Sequence, residues 1–538
     1  MKKRIFAAMA ATLMAATALA ACGNSSSGTS SKENSTPSTS ESGSDSETGE
    51  ESEAATTDAA AEAIANRTET QHLVVSWMTW TGSPTDLQMV VDKMNELTVP
   101  ALNIDVEMEV TDYASRNQTL TLQLTGGEQI DIMSCLGMPF ANAVQNDYLI
   151  DLEEEDLIQT YGQDIIDTMG QSFVDTCRVG GVLYGVPNQR DMAQGRQAMC
   201  IRTDYLKDAC ESLGITPDLE NEVWKVDSMD VIFDVIKAMH DTHPEIVSFK
   251  PGTVTNHMAI DALGGNVFGV LENWGQDTTE VVNLFESDTY IDYIKEMREL
   301  YEYGCISADS VTDTTADMAG AAAGSWASYI TVVKPGSKTQ ESKGTGMDMT
   351  IVQAGPNFLY STAANGMPWV ITLNTVDKVA AMQYLNFMYA SSEWNDLFCW
   401  GVEGTHYVVS DDGHYTFPEG VTSSTSGYCT NVTWIAPAQF KAGVWEGDDL
   451  DLWDRIDAFN NNAMVSNGSG FIFDTTPVST QYTAVTNVYN EYQKSIEYGV
   501  LDPDTAIPEM NEKMKTAGLE DIIAEKQKQF DEFLATKN

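Results

Sequence analysis

Flat aromatic faces and one short run of hydrogen-bonding side chains are the features of this 538-residue chain best suited to chemistry. Trp77 and Trp80 straddle the exit of the strand-like run Leu73-Val74-Val75-Ser76-Trp77-Met78, just before Gly82-Ser83-Pro84. The end of a first strand in an open α/β lobe faces a crevice, and an indole there can stack on the apolar face of a ring. Asn188-Gln189-Arg190-Asp191 follows Tyr184-Gly185-Val186-Pro187 and offers four consecutive hydrogen-bonding groups. Platforms and a polar rim are together what a polyhydroxylated solute requires. Plainer roles stay open. Trp77 lies within the strand and suits a core, and Arg190 can simply pair with Asp191. Ser134 and Cys135, at the end of the third strand, are lesser candidates, and Trp274, Trp434 and Trp445 read as structural.

Other chemistries find no support. His240-Asp241-Thr242-His243 is cramped at a helix end and lacks further ligands, so no metal is expected there. Asp448-Asp449-Leu450-Asp451 lacks the glycine and terminal glutamate of a calcium loop. No GxSxG, HExxH or phosphate-cradling glycine loop occurs, and no cofactor is expected. Among 80 acidic residues, paired carboxylates arise by chance and none sits in a defensible motif. A net charge of -51, from 80 acidic and 29 basic residues, disfavours nucleic acid and anionic membrane surfaces as direct partners. Eight cysteines, none in a CxxC pair, argue against a disulfide framework, although their number permits one or two bridges.

The elements that must position these groups follow from hydrophobic periodicity. Leu73–Met78 reads as a strand, Thr85–Leu97 as a helix, Ile104–Val110 as a strand, Tyr113–Thr125 as a helix closed by Gly126-Gly127, and Ile130–Met133 as a buried strand. That alternation is the signature of an α/β sheet with largely parallel strands. Gly180–Pro187 suggests a hairpin, and Met199–Arg202 a strand leading into a helix from Tyr205. Asp227–His240, Tyr290–Tyr303, Ala316–Ala323, Lys378–Ala390, Asp448–Phe459, Val478–Glu497 and Pro508–Thr536 read as helices, and Val370–Leu373 as a strand. Ser466–Phe473 is a glycine-rich loop.

The amino terminus has a cationic head (Lys2, Lys3, Arg4), an apolar run from Ile5 to Leu19, and then Leu19-Ala20-Ala21-Cys22-Gly23. This resembles the lipobox of bacterial lipoproteins, which implies cleavage after residue 21 and acylation of Cys22. Residues 22–71 are poor in aromatics and rich in Ser, Thr and acids, the composition of a disordered tether.

From residue 72 the order of local features resembles the extracellular solute-binding proteins of sugar-uptake ABC importers, the maltose-binding-protein-like group. The features are the Trp77–Trp80 strand, Gly126-Gly127 before Ile130-Asp131-Ile132, Tyr148–Leu152, Gly181–Pro187, Met199–Leu206, the Ala-Gly run into Ser325-Trp326, and Lys378–Ala390 followed by Ser391-Ser392-Glu393. Gly470–Asp474 and Glu525–Gln529 resemble a C-terminal module of undefined function in LipO-like lipoproteins. The resemblance implies a two-lobed, periplasmic-binding-protein-like (type II) α/β fold with a hinge and a helical C-terminal part. Lobe 1 would take 72–187 plus about 346–376, lobe 2 would take 188–345 plus about 377–430, and the module 431–538 would pack on lobe 2.

The resemblance also places Asn188–Asp191 where the chain first crosses between lobes. It makes Trp326 a cleft tryptophan at the start of a helix, and sets Trp369 beside the return crossing. Ligand capture by hinge closure, delivery to a separate ABC permease, a monomeric state and a place on the outer face of the cytoplasmic membrane, held only by lipid, follow as expectations. A cell-surface glycan-degrading enzyme and a binding protein for peptides or other small solutes are the alternatives, since a fold does not fix a ligand.

Overall fold

The computed structural model describes residues 59–80 and 82–537. The signal sequence, Cys22 and the first part of the tether lie outside the described residues. Residues 59–66, assigned to the tether from their composition, form a helix. The run is rich in alanine, the best helix former, and it is fastened to the body. Ile64 packs on the first core, Gln383 Nε2 donates to Ala60 O at 3.0 Å, and Arg67 donates to Gln383 Oε1 at 2.9 Å.

The first lobe is built on a four-stranded sheet in the order Trp369–Ile371, Ile132–Ser134, Gln71–Thr79, Ile104–Asp112. The last three run parallel, from Gln71 opposite Ile104 to Thr79 opposite Asp112. Leu87–Leu102 and Tyr113–Gly126 are the crossover helices, and the alternation of the sequence is the alternation of the fold. The return strand Trp369–Ile371 enters antiparallel.

Two expected assignments are corrected by the packing. The helix Lys378–Ala390 has the expected bounds, but belongs to lobe 1. Its Tyr384, Leu385, Met388 and Tyr389 are fully buried in the first core with Trp394 and Phe398. Conversely Met349–Gln353, expected in lobe 1, is a strand of the second sheet, paired with Gln194–Arg202 and Val223–Lys225. A chain that crosses repeatedly between lobes exchanges neighbours at each crossing, and hydrophobic periodicity does not report which partner an apolar face meets.

The second sheet has seven strands. Gln194–Arg202 runs antiparallel to Trp326–Val333, Met349–Gln353 and Asn357–Leu359, while Val247–Lys250 lies parallel to Trp326–Val333. The second sheet is mixed, unlike the parallel run of the first, because Gln194–Arg202 leaves the crossing as Trp326–Val333 and Met349–Gln353 approach it. Trp326 opens a strand and not a helix, because Tyr329-Ile330-Thr331-Val332-Val333 is β-branched and aromatic.

The C-terminal part is divided. Val432, Ile435 and Ala438 join the first core, whereas Phe471, Phe473 and the helices after Val478 join the second. Its last helical stretch breaks into Pro503–Ala517 and Leu519–Thr536 at Gly518, whose φ of 108° excludes most side chains and whose added Cβ would lie 2.4 Å from Gln481 Cγ. Lys526 is wholly buried in the last helix, donating to Asn266 Oδ1 at 3.0 Å and Gly269 O at 2.8 Å. Burial lowers its pKa to about 7. Between that value and the unfolded lysine value of about 10.4, the unfolded chain binds one proton more, so this group makes stability rise with pH. The full penalty holds below about 7. Lys526→Met is expected to abolish that rise in urea unfolding series from pH 7 to 10. An unchanged pH slope would contradict it.

None of the seven described cysteines is bridged. No helix among the described residues is long and apolar enough to cross a membrane.

Candidate functional site

The parallel strands of lobe 1 and the strand Trp326–Val333 of lobe 2 both end at the crossing segments, where Gln194–Arg202 begins. In lobe 1 Ser134 pairs with Trp369, and Cys135 N–H donates to Pro368 O at 2.9 Å, so the parallel strands end against the return crossing. In lobe 2 Val333, the last residue of its strand, pairs with Gly195, the first residues beyond the outward crossing. Ligands of open α/β sheets bind in the crevice outside the carboxyl ends of strands. Here that crevice lies over the crossing segments.

The outward crossing, 186–195, is held from both sides. Val186 bridges to Trp369 and Gln189 to Ala438. Asn460, on the helix Leu452–Asn461, accepts from Met192 N–H at 3.0 Å and Ala193 N–H at 2.9 Å, and donates to Arg190 O at 2.7 Å. The return crossing is fastened to lobe 2 by Asp261, which accepts from Ser361 N–H and Oγ, both at 2.8 Å. Burial raises the pKa of Asp261 against these hydrogen bonds. Gly470 N–H donates to Ser361 O at 2.9 Å and brings in the third connection. Gly355 sits so close that a Cβ would lie 2.7 Å from Arg196 O.

The candidate residues divide sharply by exposure. Trp80 is 47% exposed at the carboxyl end of the first strand and meets Tyr113, itself 43% exposed at the end of the second, with ring centroids 4.7 Å apart. Trp77 and Trp369 are 0% exposed. Trp77 packs on Phe398 at 4.8 Å, and Trp369 donates from Nε1 to Ile435 O at 2.8 Å while its ring edges Phe398. Both are core residues here, in strand segments buried on both faces. Trp326 is buried at the amino end of its strand, away from the crossings, where Lys250 lies 5.0 Å from its ring and its Nε1 donates to Asp317 O at 2.9 Å. The expected cleft position for Trp326 is therefore corrected.

The polar run acts largely on the backbone of the crossing. Asn188 is buried and donates to Trp434 O at 2.5 Å, and Gln189 Nε2 reaches Thr168 O at 3.4 Å. Arg190 donates to Asp191 O at 2.7 Å and Ala363 O at 2.8 Å, and its guanidinium is 3.9 Å from the Asp191 carboxylate. Asp191 is only partly buried and forms an ion pair with Lys334, one residue beyond the second-lobe strand. Of the four, Asp191 faces both lobes. Ser134 and Cys135 are buried, and burial pushes the Cys135 thiol up to about 12.

Three groups escaped the sequence reading. Arg196, just past the crossing, bonds to Asn256 and lies 5.1 Å over the Tyr360 ring. Its pKa is lowered, first by burial. Arg116 is wholly buried and makes five hydrogen bonds, to Ser76 Oγ and O, Trp77 O, Thr111 Oγ1 and Ser134 O. It ties together the carboxyl ends of all three parallel strands. An aromatic cavity of about 440 Å³ lies on lobe 1 among Trp400, His406, Phe417, Tyr428 and Trp445. It adjoins the loop after the first strand, since His406 Nε2 lies 3.2 Å from Asp86 Oδ2 and Asp86 N–H donates to Gly427 O at 3.1 Å. The density of aromatics between 400 and 445 was its one visible signal. Among the described residues, no group of three or more His, Cys, Asp or Glu could hold a metal.

Two α/β lobes with several crossings beneath a shared crevice define a type II solute-binding protein. The chain belongs to the bacterial extracellular solute-binding protein family, whose pattern matches residues 90–401. DUF3502, a domain of unknown function, matches residues 467–535. A carbohydrate ABC transporter substrate-binding protein of Streptococcus pneumoniae serotype 4 is 23% identical over 472 residues, covering 84% of this chain and 89% of the relative. Among solved structures, the N-glycan transport solute binding protein NgtS of S. pneumoniae superposes with a TM-score of 0.73 at 22% identity, over 87% of this chain and 100% of that one. A solute binding protein of Bifidobacterium longum infantis described as binding HMO gives 0.57 at 16% identity, over 86% and 99%.

Proposed function

We propose that this solute-binding protein captures a neutral oligosaccharide in the crevice between its lobes and delivers it, by hinge closure, to a separate ABC permease. The observation that carries the reading is the Trp80–Tyr113 pair. Two large aromatic rings exposed side by side at the carboxyl ends of parallel strands expose apolar surface to water. That arrangement suits the C–H face of a pyranose. Asp191 with Lys334, and Arg196 with Asn256, supply hydrogen-bonding groups to the hydroxyl rim from the crossing and the second lobe. The pneumococcal relative NgtS has been solved with Man1GlcNAc and with Man5GlcNAc, which makes N-glycan fragments the first probes.

The protein acts without turnover, as a monomer, and Cys22 carries the lipid that holds it outside the cell. A tether of this kind raises the effective concentration at a membrane permease. Cys22→Ser is expected to move the protein from the membrane fraction to the medium. Retention in the membrane fraction after a high-salt wash would contradict the anchor. Thermal-shift screening against neutral glycans and short peptides tests the ligand class: stabilisation by glycans alone is expected, and stabilisation by peptides alone would overturn it.

A further inference from the structure

The module of unknown function contributes one wall of a second cavity. Tyr482, Thr486, Asn490 and Gln493 recur on one face of the helix Ser479–Glu497 and line a pocket of about 280 Å³. The opposite wall is Thr253, Thr255 and Asn266 of lobe 2. Its apolar surface comes from Phe268, which meets Tyr482 and Tyr489 edge-on at 5.6 and 5.7 Å. At its inner end Glu497, 1% exposed, accepts from Tyr489 Oη at 2.7 Å and Gln493 Nε2 at 3.2 Å. No lysine, arginine or histidine forms an ion pair with this carboxylate among the described residues. Burial raises its pKa to about 7.

The pocket is close to the crevice. Val247–Lys250 runs parallel to Trp326–Val333, so its carboxyl end also points toward the crossings. Thr253 and Thr255 follow that end directly, and the adjacent Asn256 bonds to Arg196 beside the outward crossing. The loop that lines the pocket thus runs directly into the residue that holds Arg196.

We infer that the C-terminal module completes a distal sugar subsite, in which one neutral pyranose of an extended or branched oligosaccharide rests between Tyr482 and the Thr253–Thr255 loop. The volume suits one ring and no more. Hydroxyl and amide groups line the polar side, aromatic rings the apolar side, and the buried carboxylate offers acceptors to hydroxyl donors while disfavouring an anionic sugar. The inference rests on the oligosaccharide reading above and gives the module a role in ligand length selection.

Calorimetric titration of the full-length protein with Man1GlcNAc and with Man5GlcNAc tests it. The wild type is expected to bind both, the longer glycan more tightly. Tyr482→Ala is expected to weaken the longer glycan about five- to thirtyfold while leaving the disaccharide within about twofold. Asn490→Ala, on an exposed position that cannot threaten folding, is expected to give a smaller loss of the same kind. Equal losses for both glycans, or no loss in either variant, would overturn the subsite and leave the crevice standing. Failure of the wild type to bind either glycan would overturn the oligosaccharide reading and the subsite with it.

Discussion

Trp80→Ala is expected to weaken oligosaccharide binding by about 1–3 kcal/mol, roughly tenfold for each 1.4 kcal/mol. The indole is half exposed and packs on the ring of Tyr113, so its loss removes a platform and opens no cavity in the core. The melting temperature should therefore stay close to that of the wild type. Trp77→Ala provides the contrast. Trp77 is sealed beneath the same strand against Phe398, and its truncation should cost about 3–5 kcal/mol of stability. Two tryptophans three residues apart would thus separate affinity from stability. Titration calorimetry and urea unfolding of both variants read the two quantities. Unchanged affinity in Trp80→Ala would remove this residue from the site.

Arg116→Met is the second change with a large expected effect. The guanidinium has no carboxylate in ion-pair distance among the described residues, and its pKa is held down to about 10, chiefly by burial. It persists because backbone carbonyls at Ser76, Trp77 and Ser134 and the hydroxyls of Ser76 and Thr111 accept its five bonds. Methionine keeps much of the volume and none of the donors. Buried acceptors left without partners cost about 1–3 kcal/mol apiece and do not add simply. A total loss of at least about 3 kcal/mol in urea unfolding is expected. Affinity should fall with it, because the strand ends that carry Trp80, Tyr113 and Cys135 lose their common tie. Stability within 1 kcal/mol of the wild type would show that the strand ends hold their positions without Arg116.

These two residues also mark what the sequence could and could not disclose. Local order was legible. The alternation from Leu73 to Met133 announced the first sheet, and the Lys378–Ala390 helix was read to its ends, because caps and periodicity are local properties. Partnership was not legible. Nothing in Lys378–Ala390 says that its apolar face meets Trp394 and the first lobe. Arg116 reads from sequence as an ordinary solvent-facing helix residue, although its turn faces three strand ends.

Trp326 shows how a shared motif can mislead. Gly324-Ser325-Trp326 marked a functional position by resemblance, but the strand it opens is long enough to carry the crevice seven and eight residues onward, to Val333 and Lys334. The Asn188–Asp191 run lies on the outward crossing segment. Three of its side chains donate to backbone carbonyls of lobe 1 and the return crossing, and Asp191 forms an ion pair with Lys334 of the second lobe. Asn460, which grips the same segment from 267 to 270 residues away, could not be found by any local pattern.

A binding protein holds a neutral oligosaccharide in its crevice and returns it unchanged. Calorimetric titration of the full-length protein with Man5GlcNAc, followed by mass analysis of the recovered glycan, tests that directly. Saturable one-to-one binding with intact glycan is the predicted result. Release of shorter sugars would make the protein an enzyme, and no binding of any neutral glycan would contradict the account.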